Sequence, residues 1–241
     1  MTKLRLDEAL VARGLYPSRA RARDAVLRGT VRVNGEPARK PSQTIPDNAK
    51  LKTEDEAVSY VSRAALKLIA ALDHFKIPVK GRRCLDLGAS TGGFTQVLLE
   101  RGASQVIAID VGHSQMMLQD DRIDLREGVN ARDLTREDVP EDLSLVVCDV
   151  SFIPLSIALP PAMELAAEGA HLVALIKPQF EVGREAIGKG GLVKDETLHQ
   201  QVCASVSDLI TKQGWRVLGL IPSPMEGGDG NAEFLIAALK G

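Results

Sequence analysis

Cys84-Leu85-Asp86-Leu87-Gly88-Ala89-Ser90-Thr91-Gly92-Gly93-Phe94-Thr95 carries an apolar run straight into a turn of small residues and out into a helical pattern. Strand, tight turn and helix in that order mark the place where an open α/β sheet holds a nucleotide-like ligand. The turn reads Gly-x-x-x-Gly-Gly rather than Gly-x-Gly-x-x-Gly, and an acid, Asp86, precedes its first glycine. A second acid, Asp110, ends the next apolar run, Gln105–Asp110.

These two turns favour S-adenosylmethionine (SAM) over a dinucleotide. A pyrophosphate wants bare backbone and a helix N-terminus, and gains nothing from a carboxylate nearby. SAM has no phosphate; it offers an ammonium, a sulfonium and two ribose hydroxyls. Gly88, Gly92 and Gly93, with Ala89 and Ser90 between them, let the backbone approach the methionine part. Asp86 would lie near the cationic groups, and Asp110, followed by Val111, would accept from the ribose hydroxyls. Asn130, after the next strand, is placed to touch the adenine or to make a plain turn. The competing reading is an ordinary α/β turn with an acid before it.

The chain has 241 residues, enough for one large domain or two smaller ones. Its hydrophobic content of 44% supports a packed core, while 3% aromatic residues argue against a broad base-stacking platform. The net charge of −2 hides an asymmetry: residues 1–52 hold 12 Lys and Arg against 5 acids, and the rest holds 18 against 27. A basic module on an acidic body points to a polyanionic partner for the module, although a solvated charged face would look the same. Cys84, Cys148 and Cys203 sit far apart in apolar contexts, which fits reduced, buried thiols and a cytoplasmic protein. No His or Cys spacing suggests a metal, and no apolar stretch is long enough for a signal peptide or a membrane span.

Leu6, Leu10 and Leu15 recur at helical spacing until Gly14 and Pro17 break the pattern. Ser18 then caps a second helix, 19–28, that carries Arg19, Arg21, Arg23 and Arg28. A short strand at Val31-Arg32-Val33, a tight turn at Asn34-Gly35 and a pairing segment over 37–52 complete a small α+β module, residues 1–55. The acidic run Glu54-Asp55-Glu56 reads as linker, leading into residues 56–61 and then a domain over 62–241. There a helix is expected over 60–75, strands over 82–87, 105–110, 123–126, 143–149 and 171–177, and helices over 93–101, 155–167 and 196–213. The final pair, 215–221 and 232–240, reads as a hairpin closing the sheet edge. The class is α/β: a Rossmann-like parallel sheet with a C-terminal antiparallel hairpin, preceded by the small α+β domain.

Charged residues fall at the strand ends, where such sheets place their sites. Asp149 ends the fourth strand, Lys177 the fifth, Glu233 opens the last, and Lys67 sits in the helix before the sheet. Lys177 precedes Pro178, so it stays out of any helix that follows and points into the cleft. Residues 178–195, rich in Gly, read as a mobile flap over the substrate or as a plain loop.

Leu6-Asp7, Gly14-Leu15, Ser18-Arg19, Gly29-Thr30-Val31, Val33-Asn34-Gly35 and Lys40-Pro41 resemble the small RNA-binding module named after a ribosomal small-subunit protein. That resemblance implies contact with RNA backbone through the second helix and its surroundings: Arg5, Arg19, Arg21, Arg23, Arg28 and Lys40. Ser62-Arg63-Ala64-Ala65-Leu66-Lys67, Leu85-Asp86-Leu87-Gly88, Asp149, Lys177-Pro178 and Glu233 resemble the FtsJ/RrmJ-type RNA ribose 2'-O-methyltransferases. The resemblance implies a Lys-Asp-Lys-Glu set made of Lys67, Asp149, Lys177 and Glu233. Asp149-Val150-Ser151-Phe152-Ile153 and Lys177-Pro178-Gln179-Phe180-Glu181-Val182-Gly183 bring the likeness closer to the TlyA family, across nearly the whole chain. Its members are cytidine 2'-O-methyltransferases of ribosomal RNA, also called hemolysins.

The chemistry needs such residues. A ribose hydroxyl is a poor nucleophile unless its proton is taken or its developing charge stabilised. Lys177, desolvated beside Lys67, could act as base or as oxyanion stabiliser, with Glu233 and Asp149 fixing the lysine heads. The resemblance thus implies a SAM-dependent enzyme acting on a cytidine of ribosomal RNA or a ribosomal subunit. Ending at Gly241, the chain matches the family's shorter type, which implies the large subunit. Two rivals stand beside it: a non-catalytic RNA-binding assembly factor, and a membrane-active hemolysin. No strongly basic amphipathic helix supports the second.

Overall fold

The computed structural model describes residues 3–140 and 142–241. They divide into two compact units, the first ending at Ser59 and the second spanning Tyr60–Gly241.

The first unit runs β1 (Lys3–Arg5), α1 (Leu6–Ala12), α2 (Arg19–Leu27), β2 (Val31–Val33), β3 (Glu36–Pro37), β4 (Thr44–Pro46) and β5 (Leu51–Thr53). Leu6, Leu10, Tyr16, Ala22, Val26, Val31 and Ile45 form its core. Ser18 caps α2 as expected, accepting from the Arg21 amide at 3.3 Å. Asn34 and Gly35 both take positive φ, which is what a two-residue hairpin turn requires. The expected pairing segment over 37–52 is in fact three short strands. β3 pairs with β2 as far as the Ala38 amide, which bonds to the Val31 carbonyl at 2.9 Å, then β4 turns away to pair with β1 while β5 returns to β2.

The acidic run expected as linker belongs to this unit. The Asp55 carboxylate is almost fully buried and receives Arg28 Nη1 and Nη2 at 2.8 and 2.7 Å and the Tyr16 hydroxyl at 3.0 Å. Glu56–Ser59 adds one 3-10 turn in which Ala57 is buried and its carbonyl accepts from Arg21. Desolvating an arginine requires a paired acid, and this chain supplies it from beyond the last strand.

The second unit contains α3 (Ala65–His74), β6 (Arg83–Leu87), α4 (Gly93–Glu100), β7 (Gln105–Asp110), β8 (Ile123–Glu127), β9 (Leu143–Cys148), α5 (Leu155–Leu165), β10 (Ala166–Ile176), α6 (Pro178–Glu181), α7 (Glu196–Lys212), β11 (Trp215–Pro222) and β12 (Phe234–Lys240). The sheet order is β11-β12-β10-β9-β6-β7-β8. Strands β6 to β10 are parallel, and β12 enters antiparallel between β10 and β11. This is the expected architecture, with β12 inside the sheet and β11 at its edge.

Both faces of this sheet are covered, which is why its inner strands read as continuous apolar runs. Period-2 alternation splits them. Leu85, Leu87, Ile107, Val146 and Ile176 face α5 and α7, and Cys84, Val106, Leu145, Val147 and Leu175 face α3 and α4. The chain leaves β6 towards β7 on one side, while β9 lies on the other. A crevice therefore opens at the C-terminal ends of β6 and β9.

Four details differ from the sequence expectation. The helix expected over 60–75 begins at Ala65, because three successive i→i+3 bonds from Ser62, Arg63 and Ala64 hold a tighter turn. The fifth strand extends back to Ala166 around an irregularity before His171. The last strand begins at Phe234, so Glu233 sits on the loop just ahead of it. Residues 178–195 start with the single turn α6 and are tied down: buried Asn231 accepts from the Val193 amide at 2.9 Å and donates to the Gly191 carbonyl at 3.0 Å.

Candidate active site

The crevice is built from backbone first. The amides of Gly88 and Ala89 bond to the Ile109 carbonyl at 2.9 and 3.1 Å, and the Asp149 amide to the Leu87 carbonyl at 2.9 Å. These bonds carry the β6 turn between the ends of β7 and β9. Gly88 has φ of +80°, and a Cβ there would stand 2.6 Å from the Asp149 carbonyl oxygen. Asp110 Oδ2 accepts from the Ser90 amide at 2.8 Å and Oδ1 from the Gly112 amide at 2.7 Å. One carboxylate thus ties two loops together.

A cleft of about 520 Å3 results, lined among others by Gly88, Ser90, Asp110, Val111, Asn130 and Asp149. Asn130 also caps the 3-10 turn that follows it, accepting from the Arg132 amide at 3.2 Å. A smaller hollow of about 160 Å3 adjoins it, sharing Gly88, Ser90, Asp149 and Ser151 and adding Ala89, Gly93 and Lys177. The donor set fits SAM. A carboxylate with lone pairs to spare stands where a ribose would lie, and backbone approaches closely where a bulkier residue at 88 would intrude.

The four charged residues expected from the strand ends and from the helix before the sheet pair two by two. Lys67 on α3 and Glu233 before β12 form a buried ion pair through Glu233 Oε2. Lys177 Nζ lies 2.6 Å from Asp149 Oδ1 and donates to Ser151 Oγ at 2.8 Å. Lys177 is the last extended residue before α6, with Pro178 at the first helical position, so it stays out of the helix that follows, as expected. Burial pushes the Glu233 carboxyl above its ordinary range, and Lys67 pulls it part of the way back.

Two expected cofactor residues do not reach the cleft wall. Asp86 is fully buried, because the strand's alternation turns it with Cys84 towards α4. There it accepts from the Thr95 hydroxyl at 2.6 Å and from the Thr95 amide. Gly92, at the helix N-cap, has no side chain to do this, so the Asp86 carboxyl serves as the acceptor at the start of α4. Burial pushes Asp86 up to about 7, against the Thr95 bonds, and its Oδ1 has no hydrogen-bond partner among the described residues. Gly92 faces the side chains of Met116 and Leu118 instead of the cleft.

The first unit's six candidate cations are not equivalent. Arg5 and Arg19 both bind buried Asp7, at 3.0 and 3.1 Å, and the Arg5 and Arg19 bonds hold the Asp7 carboxyl down at about 2. Both guanidinium groups stay about half exposed, so Asp7 presents them side by side. Arg23 and Lys40 are exposed and have no acidic partner among the described residues. Arg21 donates to the Ala57 carbonyl. Arg28 is committed to Asp55 and Asp24 and is a structural cation, a correction to its expected place on the RNA face.

Ser151 and Phe152 were not singled out from sequence, although both lie in the stretch that carries the family likeness. Phe152 has φ of +66° and is 90% exposed, its ring 5.0 Å from that of Phe180. An exposed aromatic ring on a strained backbone is a feature of sites rather than of cores.

Among the described residues no helix is long and apolar enough to cross a membrane. Comparison with known proteins matches residues 60–240 to the FtsJ-like methyltransferase model and residues 4–51 to the S4 domain. The chain is 44% identical over 238 residues to the 16S/23S rRNA (cytidine-2'-O)-methyltransferase TlyA of Mycobacterium tuberculosis, covering 97% of this chain and 89% of that one. It is 37% identical to Hemolysin A of Brachyspira hyodysenteriae, with 96% and 98% covered. Its fold matches a solved Streptococcus thermophilus protein named a hemolysin at a TM-score of 0.76, with 41% identity and 100% and 89% covered.

Proposed function

The chain belongs to the FtsJ-like methyltransferases, and we propose that it transfers a methyl group from SAM to the ribose 2'-hydroxyl of a cytidine in ribosomal RNA. The observation that carries this reading is the Lys177–Asp149 pair on the wall of a hollow that adjoins the cleft lined by Asp110, with the Lys67–Glu233 pair near enough for Asp149 and Lys177 to act on the Glu233 charge. Relatives named as cytidine-2'-O-methyltransferases of both ribosomal subunits and of the large subunit support it.

SAM, when bound, supplies an activated methyl group on a sulfonium. Asp110, Gly88, Ser90 and Asn130 would hold it, with the ribose at Asp110 and the methionine part towards Gly88 and Gly93. The chain's own residues then have one task, to bring a ribose oxygen into line and to accommodate its charge. Lys177 Nζ is the cation nearest the hollow and faces that oxygen as base or clamp. Asp149 holds the Lys177 head. Lys67 and Glu233 supply a second, buried dipole behind it. Phe152 offers a face on which an unpaired base can stack, the usual way a single-stranded nucleotide is held. In the first unit Arg5, Arg19, Arg23 and Lys40 would meet phosphate backbone, as an S4 domain with exposed cations allows. Acting on ribosomal RNA, the protein would work in the cytoplasm.

The test is transfer of labelled methyl from SAM to both ribosomal subunits and to naked rRNA, with the product nucleoside identified, for wild type and Lys177→Ala. A 2'-O-methylcytidine that vanishes in the variant is the expected result. Tight RNA binding with no transfer to any RNA would instead favour an assembly factor.

A further inference from the structure

Lys177 Nζ has two polar neighbours among the described residues, Asp149 Oδ1 at 2.6 Å and Ser151 Oγ at 2.8 Å. Only the Ser151 contact is a hydrogen bond; Asp149 Oδ1 is an ion-pair neighbour with no hydrogen bond among the described residues, so an ammonium with three protons keeps at least one for a substrate oxygen. Asp149 and Lys177 are recessed, but Ser151 is exposed and borders both the large cleft and the smaller hollow. The left-handed backbone at Phe152 turns the chain sharply just past Ser151, off the line of β9.

We propose that Ser151 is a positioning residue of the methyl-accepting centre: its oxygen fixes the head of Lys177 from the open side, and its own proton is turned to the ribose of the incoming nucleotide. This rests on the reading given under Proposed function. A single contact to Asp149 leaves a four-carbon side chain free to swing about that contact. The directional hydrogen bond to Ser151 Oγ, added to that ion pair, removes the swing. Because this acceptor is a neutral hydroxyl, it orients Nζ without cancelling the positive charge that a developing oxyanion needs. A second carboxylate would orient it as well but would cancel that charge. Since the serine oxygen accepts from Lys177, its O–H remains available as a donor. It stands where nucleotide and methyl donor must meet.

The test compares Ser151→Ala and Ser151→Thr with wild type on the RNA that the wild type methylates. Single-turnover transfer, SAM affinity by calorimetry and melting temperature are all measured. Ser151→Ala is expected to slow transfer about 10- to 100-fold, the loss that follows small misplacements of a reacting group. SAM affinity and melting temperature should not change, and Ser151→Thr, which keeps the hydroxyl, should recover most of the rate. Three results overturn the proposal. They are Ser151→Ala transfer within about two-fold of wild type, a Thr variant as slow as the Ala variant, and a rate loss matched by an equal loss of SAM affinity. These outcomes require an active wild type; a wild type that methylates no RNA overturns the parent reading and this one with it.

Discussion

A Cβ on residue 88 would stand 2.6 Å from the carbonyl oxygen of Asp149 and 3.0 Å from its carbonyl carbon. Both obstacles are backbone of a central strand end and cannot swing aside. Gly88→Ala therefore combines a left-handed φ with a clash and should cost about 2–4 kcal/mol. SAM affinity should fall with it. Urea unfolding and SAM titration check both, and a Gly88→Ala protein of wild-type stability would show that the two strand ends can separate.

Lys67 and Glu233 form a buried ion pair. Lys67→Ala strands a buried carboxylate and should destabilise the protein by about 3–5 kcal/mol, whereas Lys67→Met with Glu233→Leu should come close to wild-type stability. Neither protein should methylate RNA. Chemical denaturation alongside a methyl-transfer assay separates the two roles, and the decisive comparison is the double variant: folded yet inactive.

Asp86 gives a pH signature. Its carboxyl titrates at about 7 in the folded chain, because burial outweighs the Thr95 bonds, against about 3.9 when unfolded. Between those values the native state holds a proton that the unfolded state has lost, so this group's contribution to stability falls as pH rises from about 4 to about 7 and is flat above. The full effect is at most on the order of 4 kcal/mol. Asp86→Asn keeps an acceptor for Thr95 and removes the titration. It should match wild type near pH 4 and be the more stable protein at pH 8, as melting curves at the two values will report.

The cations of the first unit separate by the same logic. Arg23→Ala and Lys40→Ala together should lower RNA affinity and reduce the salt slope by about 1–2 while leaving stability unchanged. Arg28→Ala should do the reverse, costing stability through Asp55 and touching RNA only indirectly. Filter binding across a salt series, with melting temperatures, tells these apart.

Phe152 is exposed, so its loss should not affect folding. If a base rests on it, Phe152→Ala should weaken productive RNA binding by about 1–3 kcal/mol. The readout is KM for RNA, with SAM affinity as the control.

Most of the second unit was legible because its strands are buried on both faces and its turns carry glycine and acids at fixed offsets. Asp149, Lys177 and Glu233 stood out for the same reason, each at a boundary between strand and loop, whereas Lys67 lies within α3. What escaped was set by contacts distant in sequence. Asp86 looks like a ligand residue in a string, and only the alternation of β6 against α4 shows that it faces Thr95. Arg28 looks like a phosphate contact until Asp55, 27 residues later, folds back on it. Ser151 depends on a left-handed residue that no phenylalanine announces.

The Arg28–Asp55 tie bears on where the small module can be cut. The S4 domain match ends at residue 51, but the Asp55 carboxylate that receives Arg28 and Tyr16, the Thr53 hydroxyl bonded to Tyr16 and the Ala57 carbonyl that receives Arg21 all lie beyond it. A fragment trimmed to the match would leave an arginine and a tyrosine facing each other across an unfilled seam. One carried through Ser59 keeps its own lock.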